Sequence, residues 1–203
     1  VPCEKLLVYY GAPTGSRSFL PSPATDRNYG VQSNRKVDVY LQFANTEANG
    51  VGMPLPAGRV RMSDGGDFIG EASLGHTAAN ADVALPIGTV FDLGAKRKRE
   101  DFQLDRQGRT MTETVSVTLR NGKAAPVTVR VGESLPRWSD WEIVSSSVTH
   151  EKTDARNVSF DVAVPAGSPT AGRAAALLRP AQLLIVGTAA LNLVLVGFDA
   201  VLG

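Results

Sequence analysis

Two histidines, one tetrabasic run and two tryptophans are the side chains of this sequence best suited to chemistry or ligand contact. His76 and His150 lie 74 positions apart, and neither stands at metal-ligand spacing from another His, a Cys or a carboxylate pair. His76-Thr77 follows a strand pattern and could polarise a ligand; the competing reading for both histidines is a strand-end or turn residue with a structural hydrogen bond. Lys96-Arg97-Lys98-Arg99 could bind a phosphate, an acidic glycan or nucleic acid. Asp92, Glu100 and Asp101 stand beside it, so the run reads as a solvated strand edge whose charges discourage strand-on-strand association. Trp138 and Trp141 could offer flat apolar faces to a sugar. Trp141 alternates with Ile143 and is expected in the core, which leaves Trp138 as the indole open to a ligand.

Nucleophilic catalysis needs a nucleophile, a base and an orienting group within hydrogen-bond reach. The sequence has no G-x-S-x-G elbow, and its one cysteine, Cys3, can form neither an intrachain disulfide nor a thiolate cluster. Gly65-Gly66-Asp67 is too short for a phosphate loop and predicts a hairpin turn. Paired carboxylates for glycoside hydrolysis, Glu71, Glu100 or Asp101 among them, would be brought together only by the fold. The expected contact residues are therefore His76, Lys96, Arg97, Lys98, Arg99 and Trp138, with no catalytic, metal-binding or cofactor-binding set.

The elements that must position these residues are strands. Val37-Asp-Val-Tyr-Leu-Gln-Phe43, followed by Asn45, a turn and Arg59-Val-Arg-Met62, is echoed by Thr114-Val-Ser-Val-Thr-Leu-Arg120, followed by Asn121, a turn and Val127-Thr-Val-Arg-Val131. Each arm alternates apolar with polar, the pattern of a strand buried on one face. Further strands are predicted at Lys5 to Tyr10, Phe68 to Ala72, Val83 to Leu85, Val90 to Leu93, Trp141 to Val144 and Val158 to Val164. Turn signals separate them at Asn49-Gly50, Gly65-Gly66, Gln107-Gly108, Asn121-Gly122 and Asp154 to Asn157. Met53 to Gly58 is a proline-fixed connection between strands. Burying Val115, Val117 and Leu119 together stabilises by roughly 5 to 9 kcal/mol, so their face turns inward and the Thr114, Ser116 and Thr118 hydroxyls are expected to face water. Short strands at this spacing predict an all-β fold, an antiparallel, immunoglobulin-like β-sandwich with a divergent apolar C-terminal tail.

The expected organisation is an N-terminal strand and long surface loop over 1–35, a sandwich over 36–165 and the tail over 166–203. With 203 residues, 43% of them hydrophobic, the chain can bury a real core. A net charge of +1 lacks the positive field of a bulk nucleic-acid binder. From Pro165 onward there is no lysine and one acid, Asp199, and the run from Leu183 to Gly203 is long enough to span a bilayer. Asn192 and Asp199 burden that span, so a membrane anchor, a buried or interfacial helix and an aberrant tail all stand as readings. The chain begins at Val1 without a signal-peptide pattern, and any such segment would precede it.

Several ordered segments resemble a bacterial family, the DUF4139 domain, related to the mucoidy inhibitor A group. They are Asn45 to Arg61, Ile69 to Thr77, Gly94 to Phe102, and Val117 to Asn121 with Pro126 to Val129, Glu133, Leu135-Pro136 and Asp140 to Ile143. The likeness covers roughly residues 4 to 165. It implies a β-rich protein of the bacterial cell envelope, periplasmic or extracellular, and brings no catalytic residues. After Pro165-Ala-Gly167 the sequence departs from the family's closing alternating strand, which predicts one unpaired sheet edge.

The function expected from residues and resemblance together is a non-enzymatic scaffold or interaction module with a protein or glycan partner in the envelope. Its β-edges and the loop from Gly11 to Asn34 would present the contact surface. The alternatives are an envelope polysaccharide hydrolase with carboxylates the sequence does not reveal, and a membrane-tethered module resting on 183–203. No cofactor and no nucleic-acid partner are expected.

Overall fold

The computed structural model describes residues 1–11, 24–105, 110–135, 137, 141–167 and 190–198. The fold is an all-β sandwich. Its strands are β1 (Glu4–Tyr10), β2 (Val37–Ala44), β3 (Gly58–Asp64), β4 (Asp67–Leu74), β5 (Asp82–Val90), β6 (Leu93–Asp105), β7 (Thr110–Asn121), β8 (Val127–Ser134), β9 (Trp141–Ser146), β10 (Glu151–Lys152), β11 (Asn157–Val164) and β12 (Ala190–Phe198). Among the described residues the helical element is one 3-10 turn, Glu47–Asn49. The chain divides into two compact units, Val1–Val8 with Val37–Val90, and Tyr9–Lys36 with Phe91–Gly203.

In the first unit, β2 pairs antiparallel with β1 and β5, and β3 pairs with β4. The β3–β4 hairpin turns on Gly65-Gly66, as expected, because both need positive φ (60° and 98°) that a side chain disfavours. Alternation gives the hairpin one apolar face. Met62 and Ala72, with Val60 and Leu74, pack against Val83, Leu85, Leu41, Phe43 and Ile87. The opposite face carries Arg59 and Arg61, both ion-paired to Glu71.

The second unit contains two strand groups, β10-β11-β8 and β6-β7-β12-β9. Val158, Phe160, Val162 and Val164 are all buried, as are Val115, Val117 and Leu119, so the inward registers are those the alternation predicts. The hydroxyl row is a correction: Thr114 and Ser116 are buried too (4% and 7% exposed). β7 is a central strand, and Lys98 and Glu100 on the neighbouring β6 lean over its outer face, with Ser116 Oγ donating to Glu100 Oε1 at 2.8 Å. β6 holds a β-bulge: Arg99 lies opposite Val115 and Asp101 opposite Thr114, so Glu100 is an extra residue. Leu93, Ala95, Arg97 and Arg99 point inward before it, and Phe102 after it.

Three further expectations change. Val90 to Leu93 is not a strand; Phe91-Asp92 form a bend between β5 and β6, with Phe91 almost wholly exposed. Trp141 is half-buried rather than core, its Nε1 donating to the Ala155 carbonyl at 2.7 Å under the Lys152 ammonium. The closing strand is present: β12, from the apolar tail, pairs antiparallel with both β7 and β9. A segment rich in Leu and Val suits a strand paired on both sides as well as it suits a helix. Among the described residues no helix is long and apolar enough to cross a membrane.

The echoed segments carry the same device. Neither Asn45 nor Asn121 is exposed at all, and each closes the strand before a crossing into another sheet. Asn45 Nδ2 donates to the carbonyls of Met53 and Ala78, both at 2.8 Å, while its Oδ1 accepts the Gly52 N–H. Asn121 Nδ2 donates to the Ala125 and Val164 carbonyls, and its Oδ1 accepts the Lys123 N–H at 2.9 Å. A side-chain amide supplies donor and acceptor together, which is what a buried chain reversal lacks.

Candidate functional site: an arginine-clasped strap

The densest polar arrangement in the second unit is built by charged residues on inward strand positions. β6 contributes Arg97 and Arg99, β7 Glu113, β8 Glu133, and the segment after β8 Arg137. Arg97 Nε and Nη2 both bind Glu133 Oε1, at 2.6 and 2.5 Å, with both side chains at most 3% exposed. Arg137 Nε donates to Glu113 Oε2 at 3.1 Å, and Arg99 Nη1 lies 3.4 Å from Glu113 Oε1. The Arg137 guanidinium also stacks over Phe102, 4.3 Å from its ring centre.

The remaining guanidinium donors hold one segment, residues 24–36, by its backbone. Arg137 Nη1 donates to the Ala24 and Asp26 carbonyls at 2.7 and 2.8 Å, and Nη2 to the Tyr29 carbonyl at 2.9 Å. Arg97 Nη1 donates to the Gly30 carbonyl at 2.9 Å. Only a planar, always-charged fork can bind a carboxylate on one edge and carbonyls on the other. The buried Tyr9 hydroxyl donates to the Asn34 carbonyl at 2.8 Å, and burial raises its pKa above the ordinary phenol value.

The strap also covers part of the β6 edge. The Ala95 N–H donates to the Arg35 carbonyl and the Arg97 N–H to Ser33 Oγ. Its own side chains turn outward: Thr25, Arg27, Asn28, Val31, Gln32 and Arg35 are exposed. Asp26 Oδ1 accepts the Asn28 N–H, and Gly30 takes φ 73°, so the local turns are fixed as well.

Gly11 sits beneath this arrangement. A Cβ there would stand 2.5 Å from Glu133 Oε2 and 2.8 Å from Arg97 Cδ, so only glycine fits without displacement. Glu133 Oε2 is the one buried side-chain oxygen or nitrogen among the described residues with no hydrogen-bond partner. Burial lifts the Glu133 carboxyl above the usual carboxylate range, against the pull of Arg97.

The residues singled out from sequence fall in both units. His76 is exposed just after β4 in the first unit, and His150 is exposed in the second with its ring 5.9 Å from Phe160. Trp138 lies outside the described residues. The basic run corrects its expectation as a solvated edge: Lys96 and Lys98 are exposed on an edge strand, Lys98 pairing with Glu100, while Arg97 and Arg99 face the interior. Strand alternation inside a four-residue charge run separates the two roles. Of the carboxylates considered for hydrolysis, Glu71 pairs with Arg59 and Arg61, Glu100 with Lys98 and Ser116, and Asp101 accepts from Gln103. Among the described residues the buried carboxylates are Glu113 and Glu133, which sequence reasoning missed. The available signal was a charge on the apolar phase of a strand, Glu133 following Val129 and Val131, and Glu113 preceding Val115 and Val117. Among the described residues no group of three or more His, Cys, Asp or Glu could hold a metal ion. Comparison of the chain with protein-family models, with curated proteins and with solved structures finds no match.

Proposed function

We propose that this chain is a non-enzymatic β-sandwich interaction module of a bacterial envelope or secreted protein, and that residues 24–36 are its partner-facing element. The observation that carries the reading is the backbone clasp: arginine side chains bind the strap carbonyls of Ala24, Asp26, Tyr29 and Gly30, leaving outward side chains on a pre-ordered backbone. A surface segment ordered before binding loses less conformational entropy when a partner docks. The clasp also gives both buried carboxylates a positioning task, because Glu113 and Glu133 orient the guanidiniums that hold the strap. The envelope location rests on the sequence resemblance described above.

The test is capture from bacterial envelope fractions, and on a panel of envelope glycans, by the wild-type chain and by a chain with Arg27, Asn28, Val31 and Gln32 all replaced by Ala. These exposed side chains take no part in the clasp, so the variant folds as the wild type does. Loss of a wild-type partner is the expected result; unchanged capture refutes the assignment of the strap.

A further inference from the structure

Phe91 is the most exposed large apolar side chain among the described residues, at 97%. Single exposed apolar residues are ordinary on a protein surface; the surroundings of this one are not. The ring stands on the bend between β5 and β6. The Asp92 carbonyl accepts the Gly122 N–H at 2.7 Å, which sets the bend beside the β7–β8 turn, and the Lys123 carbonyl accepts the Gly167 N–H at 3.0 Å, which adds the end of β11. These connections carry Ala124, Ala125, Pro126 and Ala166, all exposed, and one acid, Asp92.

Cations border the same turns. Lys123 follows the Asn121 tether, and Arg120 lies opposite Gly94 at the start of β6. Val37 pairs with Val90, so the next residues outward, Lys36 and Phe91, leave that ladder side by side. The Arg35 carbonyl accepts the Ala95 N–H, which fixes that segment against β6. Arg35, Lys36 and Arg120 are all exposed. With Lys123 they face the single acid Asp92, a local excess of positive charge in a chain whose net charge is only +1.

We propose that this end of the second unit docks on an anionic lipid bilayer, with Phe91 entering the boundary between headgroups and acyl chains and Arg35, Lys36, Arg120 and Lys123 against the lipid phosphates. A ring this exposed on a bend projects from the surface. A folded protein partner must offer a matching hollow to desolvate such a ring, whereas a bilayer interface closes round any small apolar tip. Charge complementarity selects the lipid, because each cation near an anionic surface adds an attraction that salt screens. The inference is separate from the strap's partner: the capture variant leaves Phe91 and these cations in place, so the two readings fail separately.

Co-sedimentation of the full chain with phosphatidylcholine vesicles containing about one-third phosphatidylglycerol tests the surface, with pure phosphatidylcholine vesicles as the comparison. The expected result is binding to the anionic vesicles that weakens as salt rises from about 0.05 to 0.5 M. Phe91→Ser should weaken it roughly tenfold and keep the salt dependence, since the exposed ring supports nothing in the fold. Lys36→Glu should weaken it by about fivefold or more. Lys5→Glu, the same charge change on an exposed residue at the far end of the β1–β2 ladder from Val37, should leave it unchanged. No binding, equal binding to neutral vesicles, or indifference to both Phe91→Ser and Lys36→Glu overturns the proposal. So does binding to soluble poly-glutamate that matches the vesicles and ignores the ring, the mark of an acidic protein partner.

Discussion

Replacing Arg137 with Met tests whether the clasp holds the strap. Met keeps the apolar contact with Phe102 but removes six bonds, two of them long, from Nη2 to the Arg27 carbonyl and to Glu113 Oε1, and four shorter: Nε to Glu113 at 3.1 Å and the donors to Ala24, Asp26 and Tyr29 at 2.7, 2.8 and 2.9 Å. At about 1.5 to 3 kcal/mol for each bond to a charged group, the simple sum would rival the whole stability of a domain. It overshoots because the strap carbonyls regain water once the segment lifts. What cannot be recovered locally is the counter-charge of Glu113, and stripping one partner from a buried pair costs about 3 to 5 kcal/mol. Arg99 stays 3.4 Å from Glu113, which points to the lower end, ~3 kcal/mol. Arg137→Lys keeps the charge, but one ammonium cannot reach three strap carbonyls and Glu113 together, so a loss of ~1 to 2 kcal/mol is expected. Urea unfolding followed by Trp141 fluorescence measures both, and for R137M the midpoint should fall by roughly 1 to 2 M. Limited proteolysis should cut within 24–36 first in that variant. R137M unfolding within ~0.5 kcal/mol of wild type, with strap cleavage unchanged, would refute the clasp as a stabilising device.

Asn45→Ala and Asn121→Ala should each lower stability by ~2 to 4 kcal/mol in thermal melts, since each strands buried backbone groups. Asn45→Asp should be worse than Asn45→Ala, because a carboxylate would face the Met53 and Ala78 carbonyls; equal melts for the two would count against the pinning role. Arg130 binds Asp161 through two bonds, at 2.8 and 3.0 Å, across β8 and β11 and holds its carboxyl below the usual range. Its contribution, ~0.3 to 1 kcal/mol at a solvent-screened position, is present above the ordinary Asp pKa and disappears as pH falls through the lowered one. Asp161→Asn should therefore flatten the acid limb of stability against pH, and an unaltered limb would contradict it. Ending the chain after Gly167 removes β12 and leaves facing edges on β7 and β9, so light scattering should reveal association at micromolar concentration. A monomeric truncated chain with an unchanged melt would contradict the pairing.

Most strands were legible because apolar phase alone placed Val115, Val117, Phe160 and Val162 inward, and burial of large side chains outweighs the alternatives. The same rule hid the clasp. Arg97, Glu113 and Glu133 sit on the apolar phase of their strands, where a charge resembles an interruption until its counterpart is known. Arg97 and Glu133 are 36 positions apart, and nothing local announces such a partner. Thr114 and Ser116 were assigned to solvent because alternation describes one strand and is blind to neighbours that shade its outer face. β12 escaped because an unbroken apolar stretch has no phase to follow. Asn45 and Asn121 were visible as an echo, but their task as buried tethers required knowing that the chain leaves one sheet there.

The supernumerary Glu100 is a residue that β6 can lose without a change of phase. Excising that single codon would leave plain alternation, Arg99 inward, Asp101 outward and Phe102 inward, opposite the same partners on β7, so the strand should accept its loss. Loss of Glu100 should thus be milder than loss of Arg97, Arg99 or Phe102, a ranking that mutational scanning of deletions across 97–105 can read directly.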